Sequence, residues 1–297
     1  MGVIYVILSK LGAAGKMIAM KKCGRTASGP INSLKINLVR SLGCFVISLV
    51  IALIGGIGDM SREGFIIAAI SGIANAALLF SWMLGATLAP MSTVEIFCMI
   101  GGIVLPMIFS PIMIESEAVS AIEWVGALLL FPAAVCFRSQ KSEAGGAKIS
   151  ALPYLILAGL SNAGCVFSQK LYAAKSGGGT AEFNLVTFGI CSLTLAVCFL
   201  VWWLVKGRGA TEEGGKPLLR GKTVIYLTIA VIMLYLANYF SLLASYNLPS
   251  SLLFPLSYAI GMPMTVACDA IFFKEKIRVT TVIGAVLVIL SVILVSL

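Results

Sequence analysis

Ten apolar runs, each near helix-crossing length, follow one another along this chain, with Gly, Pro and charged residues as punctuation. They lie near 2–20, 31–54, 64–83, 87–112, 121–137, 151–173, 182–205, 222–244, 249–273 and 279–297. About 20 apolar residues in α-helix cross about 30 Å of hydrocarbon. The pattern therefore predicts an all-α integral membrane protein with ten transmembrane helices, numbered 1 to 10 in chain order. The longest polar connections are 138–150 (RSQKSEAGGAKIS) and 206–221 (KGRGATEEGGKPLLRG). Both are Gly-rich and charged, the composition of flexible linkers, and the runs leave no room for a soluble domain.

The runs also repeat. Helix 1 ends AAGKMIAMKK and helix 6 ends NAGCVFSQK, which sets Gly15 against Gly164 and Lys21 against Lys170. INLVRSL in helix 2 matches FNLVTFG in helix 7, with Asn37 opposite Asn184. LLFSWMLGATLAP leads into helix 4 as NYFSLLASYNLP leads into helix 9, pairing Pro90 with Pro249. Glu117 and Gly126 then match Glu275 and Gly284. Correspondences in one order across five helix pairs predict a tandem duplication: 1–137, a linker at 138–150, and 151–297. Five is odd, so the second copy enters the membrane from the opposite side. The charge of the repeated phrase agrees. Its first copy is acidic (Glu115, Glu117, Glu123) and its second is basic (Lys274, Lys276, Arg278).

Composition strengthens the membrane reading. The chain is 60% hydrophobic and 11% charged, with a mean hydropathy of +1.05. Soluble domains are nearer half apolar and a quarter charged; disordered, collagen-like and disulfide-scaffold classes are excluded by the same figures. The net charge of +9 is read as cytoplasmic loops facing anionic lipid rather than as a nucleic-acid surface. Counting Lys and Arg by side, loops 1–2, 3–4, 5–6, 7–8 and 9–10 hold 15 and the opposite loops hold 2. This places both termini outside the cytoplasm of a multi-pass plasma-membrane protein. The N-terminal run carries Lys10 and Lys16 and is followed by Lys21, Lys22 and Arg25, so it reads as a first transmembrane helix rather than a cleaved signal.

Eight cysteines occur, with no CxxC pair and no histidine. They read as small hydrophobes within helices, and a zinc site or a Cys–His catalytic pair is set aside. The GGG at 177–179 lies between helices, as a turn. There is no Walker sequence. We expect no enzymatic activity, no cofactor and no metal.

Ten helices in two inverted five-helix halves, each closing with a Glu, a Gly about nine residues on and an apolar run, resemble the EamA-like branch of the drug/metabolite transporter superfamily. The fuller match is PLSYAIGMPMTVACDAIFFKEKIRVTTVIGAVLVILSVIL; the first copy, ESEAVSAIEWVGALLL with Pro106 and Pro111, is more degenerate. The resemblance implies transport around a central cavity. Members of that superfamily carry amino acids, nucleotide sugars, sugar phosphates, choline or drugs. Characterised relatives usually have cytoplasmic termini, and the charge count here argues the reverse.

An ionisable group at mid-membrane costs about 2.5–3.5 kcal/mol on insertion scales, so each needs a reason. Lys10 stands near the middle of helix 1, and Glu95 about two turns into helix 4. Lys10 is a candidate anion contact or counter-ion, and Glu95 a candidate amine contact or proton carrier. Mutual neutralisation is the rival reading. Lys16 and Lys170 lie close enough to helix ends to snorkel. Arg40, two to three turns into helix 2, either orients helices, pairs with a carboxylate or touches substrate. Asp269 is read as an interfacial partner of the Lys274–Arg278 knot.

Asn75, Asn162, Tyr235 and Tyr258 sit at helix midpoints. They either bond helix to helix or, as the resemblance implies, place polar contacts in the central cavity. Trp82 and Tyr239 are pocket walls or interface anchors. Pro106, Pro111, Pro255 and Pro263, with Gly101, Gly102 and Gly261, are expected to break helices 4 and 9 midway and let them bend in gating. Close packing is the plainer alternative.

The sequence thus reads as a secondary transporter of a small polar or amphipathic organic metabolite, amino-acid-like or anionic. It would work by alternating access, with proton coupling through Glu95 or by exchange. The alternative is a lipid-handling flippase or membrane scaffold with a lateral groove. Expected partners are the solute and the lipid bilayer, not nucleic acid, and the chain is expected to be a monomer or homodimer.

Overall fold

The computed structural model describes residues 1–23, 30–56, 58–88, 91–114, 119–137, 149–176, 178–206, 221–273 and 279–296. Among them lie ten α-helices: α1 (Gly2–Cys23), α2 (Pro30–Gly55), α3 (Arg62–Leu88), α4 (Met91–Met113), α5 (Ala121–Phe137), α6 (Leu152–Lys175), α7 (Thr180–Lys206), α8 (Lys222–Asn247), α9 (Ser250–Phe273) and α10 (Val279–Ser296). A short 3-10 turn at Ile149–Ala151 leads into α6. The apolar runs and the helices agree to within a few residues. Both long linkers, Glu117 and the Lys274–Arg278 knot lie outside the described residues, as do the side chains of Glu95 and Asp269.

Seven of these helices (α1, α2, α3, α4, α7, α8 and α9) are long and apolar enough to cross a membrane. The apolar stretches of α5 and α10, Ala121–Cys136 and Val282–Val295, are shorter. At 17 and 18 residues these two helices nonetheless approach the thickness of hydrocarbon. The remaining helix, α6, has Pro153, Asn162 and Gln169 diluting its run, and it buries Ser161, Ser168, Gln169 and Lys170.

Large apolar side chains point outward around the bundle. Ile54 is 82% exposed and Val205 is 78%, and α10 presents Val282, Ile283, Val286, Ile289 and Ile293 along its length. Water would penalise such a belt at about 25 cal/mol per Å², whereas lipid does not. The molecule is a multi-pass helical membrane protein.

Inside, α1 lies along α8, α3 along α6, α2 along α7 and α5 along α10. The largest apolar core joins α4, α5, α9 and α10 through residues such as Met99, Ile103, Met107, Leu130 and Phe254. The α5–α10 seam closes where Gly126 meets α10: its carbonyl accepts from Ser291 Oγ at 2.6 Å, and an added Cβ would run into Val295 and Leu294. Glu123, one of the acidic knot, completes a capping box. Its carboxylate accepts from the Ser120 N–H at 2.6 Å while Ser120 Oγ accepts from the Glu123 N–H at 3.2 Å.

The prolines give a correction. Helix α4 runs unbroken through Pro106 and Pro111, and α9 runs unbroken through Pro255 and Pro263. Each proline removes one backbone donor. Pro106 and Pro255 are buried, so packing against neighbouring helices holds the helical path where an isolated helix would open. Beside Pro106 the Ser110 hydroxyl donates to the proline carbonyl at 2.6 Å.

One end of the bundle carries polar contacts among helix ends and the glycines that join them. The Gly58 N–H donates to Glu182 Oε1 at 2.7 Å. Tyr246 Oη donates to the Gly178 carbonyl at 2.6 Å and Tyr172 Oη to the Gly179 carbonyl at 3.2 Å. Lys175 and Glu63 pair more loosely, at 3.8 Å.

Candidate functional site

The site begins with a helix crossing. Gly101 of α4 meets Gly159 of α6 so closely that a Cβ on Gly101 would overlap the Gly159 carbonyl. Small residues let backbones approach in this way when lipid offers no hydrophobic drive between helices. The approach brings Asn162, about one turn beyond Gly159, against α4, where its Nδ2 donates to the Cys98 carbonyl at 2.7 Å. The same amide nitrogen donates to the hydroxyl of Tyr258 on α9. Tyr258 Oη in turn lies against Gly102, where any side chain would collide with it and with Asn162.

Lys10 closes the cluster from α1. Its Nζ stands 5.3 Å from the centroid of the Tyr258 ring, a cation–π contact of about 0.5–2 kcal/mol. Its aliphatic stem packs over Gly261, whose added Cβ would sit 3.3 Å from Lys10 Cδ. Lys10, Asn162 and Tyr258, on three different helices, therefore meet, and Gly261 makes room for one of them.

Beside them is a small cavity of about 30 Å³, whose lining includes Lys10, Gln169, Ser241, Ser245, Ser257 and Tyr258. That is room for a water or two. Its polar wall is itself bonded. Gln169 Nε2 donates to Asn238 Oδ1 at 3.2 Å, and Ser241 Oγ donates to Gln169 Oε1 at 2.7 Å. Gln169, Ser241 and Ser245 were not singled out in the sequence. An interrupted apolar run in α6, carrying Gln169 and Lys170 one after the other, was the available signal.

The other expected site residues stand elsewhere. Asn75 turns back on its own helix, donating to the Ser71 carbonyl at 3.1 Å. Tyr235 is buried in an apolar cluster with Cys44, Phe188, Val231 and Leu234. It leads a row of rings that continues through Tyr239 and Phe240 to Tyr5, with centroids 5.6–6.3 Å apart. Trp82 packs in another apolar cluster, near Val94 and Leu155. Glu95 stands on the first turn or so of α4, because that helix begins at Met91 rather than 87. Pro106 and Pro255 lie within or beside the α4–α9 core, and Pro263 lies one turn past Ala259 of that core.

Two basic residues depart from expectation. Lys170 is 7% exposed and does not snorkel. Its Nζ donates to the carbonyls of Ser245 at 3.2 Å and Leu248 at 2.7 Å. Those carbonyls end α8, where helical donors run out and a cation is favoured. Arg40 is 5% exposed, deep within α2.

Cys44 and Cys191 are buried, and the seven cysteines whose side chains are described are free thiols. Among the described residues no group of His, Cys, Asp and Glu could hold a metal ion.

No family model and no curated protein matches this sequence. Solved structures do match, 28 chains in all. One, a crystal structure whose description names no activity, superposes with a TM-score of 0.75 at 16% identity, spanning 99% of this chain and 95% of its own. At that identity the likeness shows the fold alone.

Proposed function

We propose that this protein is a secondary transporter for a small polar or amphipathic organic solute, working by alternating access in the manner of the drug/metabolite transporter superfamily. One observation carries the reading. A polar cluster of Lys10, Asn162 and Tyr258, contributed by α1, α6 and α9, abuts an internal cavity walled by Gln169, Ser241 and Ser257. Polar groups of this kind are expensive inside a membrane bundle and usually mark a pathway. The cavity, at about 30 Å³, is far below the roughly 300 Å³ or more of a ligand pocket. On this reading it is the closed form of a site that widens when one end of the bundle opens.

The exchanged pairing of α1 with α8 and α3 with α6 supports two inverted halves, 1–137 and 151–297. The charge count supports a plasma-membrane protein with both termini outside. The proposed activity is transport without covalent chemistry and needs no cofactor. Glu95 is the proposed proton carrier, with exchange as the uncoupled form of the same cycle.

Lipid handling has one specific observation to answer. A groove of about 450 Å³ between α2, α3 and α7, lined by Leu34, Phe80, Val197, Cys198, Val201, Trp202 and Val205, exposes no polar surface. It suits an acyl chain and offers a headgroup no path, which favours the solute reading.

The test is thermal stability of the purified protein against pooled amino acids, sugar phosphates, nucleotide sugars, polyamines and lipids, followed by uptake of the stabilising pool into proteoliposomes. A polar pool that both stabilises and accumulates supports transport. A response to lipids alone moves the flippase reading ahead.

A further inference from the structure

Arg40 is a buried charge that the central cluster does not use. It projects from α2 and is 5% exposed. Its Nε has no hydrogen-bond partner among the described residues, and no carboxylate there pairs with it. The titratable side chains that act on it are the thiols of Cys44, one turn along α2, and Cys191 on α7. Cys44 is also within electrostatic reach of Lys16 on α1. Lys10 lies six residues before Lys16, about 9 Å along the same helix. The neighbouring polar contacts are already made. The Ser41 and Ser192 hydroxyls bond each other at 2.9 Å, and Cys44 Sγ donates to the Val231 carbonyl at 3.5 Å.

A buried guanidinium without a counter-charge is costly and is kept where an anion arrives to neutralise it. Arginine presents a planar fork of donors that matches carboxylate and phosphate oxygens in pairs.

We propose that Arg40 is the oxyanion contact of the transported solute, which is therefore a small carboxylate or phosphate monoester rather than a plain cation. This rests on the transport reading, and it adds α2 to the helices that contact the solute. A phosphate on a lipid headgroup carries the same chemistry, so the test separates the two sources.

The experiment measures the melting temperature of the full chain in detergent, titrated with inorganic phosphate or acetate against chloride at matched ionic strength. A short-chain phosphatidylglycerol arm runs in parallel. Phosphate or acetate should raise the melting temperature of the wild type. Arg40→Gln should abolish that rise, and Arg40→Lys, which keeps charge but loses the fork, should need at least tenfold more anion for the same shift. Arg40→Gln removes a buried charge and is expected to fold. Should it not, Arg40→Lys decides alone. Wild-type titration curves in either variant overturn the proposal, as does a response to phosphatidylglycerol with none to phosphate or acetate. Failure of every solute pool to accumulate in proteoliposomes, together with an Arg40-dependent phosphate shift, would sink the transport reading and leave the anion site standing.

Discussion

The Tyr258 hydroxyl rests against the backbone of Gly102, in space that any Cβ would fill, and takes a hydrogen bond there from Asn162. The contact joins α4, α6 and α9 at one point, and its geometry depends on a residue with no side chain. Gly102→Ala should therefore force Tyr258 and Asn162 apart. Overpacking of this kind costs about 1–3 kcal/mol, read as a lower melting temperature together with a weakened response to the stabilising solute. Adding Tyr258→Phe to Gly102→Ala should recover part of the stability: the colliding oxygen is gone, while Asn162 Nδ2 still stands 2.5 Å from the added Cβ. A double variant no more stable than the single one would show that the strain lies elsewhere.

Lys10 rests on the face of the Tyr258 ring at 5.3 Å. Lys10→Met keeps the stem that packs on Gly261 and removes the charge. The expected outcome is a change in basal stability of about 1 kcal/mol and loss of the solute-dependent melting shift. A full shift in this variant would make Lys10 a packing residue.

Lys170 predicts the opposite pattern. Its ammonium caps the last carbonyls of α8, a charge-assisted bond worth about 1.5–3 kcal/mol. Lys170→Met should melt several degrees lower, yet keep the wild-type shift with solute. Loss of the solute shift with unchanged basal stability would assign Lys170 to the binding site instead.

Glu95→Gln tests coupling. Exchange of labelled against unlabelled solute should survive in proteoliposomes, while accumulation driven by an imposed pH gradient should disappear. Uphill uptake at the wild-type rate would remove Glu95 from the coupling role.

Ser120→Ala should cost about 1 kcal/mol, because the capping box at the start of α5 loses one of its two bonds. Ser120→Asp, which can accept the same N–H, should restore most of the loss; equal melting of all three proteins would show that the cap is idle.

What the sequence by itself determined was the number of helices, their limits and their solvent. The requirement that lipid places on a helix is local: a run of apolar residues long enough to span, with every backbone group satisfied within the run. Each run could be read without its neighbours, and α5 and α9 end where their apolar composition ends. Lys10, Asn162 and Tyr258 were legible as anomalies for the same reason, since a polar atom in hydrocarbon is conspicuous one residue at a time.

Which anomalies meet was decided by tertiary structure alone. Asn75 and Asn162 look alike in sequence. One bonds its own helix, while the other crosses to α4 and α9 because Gly101 and Gly159 let two backbones touch. Lys170 read as a snorkelling end residue until α8 brought its terminal carbonyls alongside. The prolines of α4 and α9 read as breaks, and packing kept those helices whole. In each case the deciding partner lies on another helix, dozens of residues away, and the face a helix turns toward its neighbours is fixed by how the helices cross rather than by the composition of any one of them.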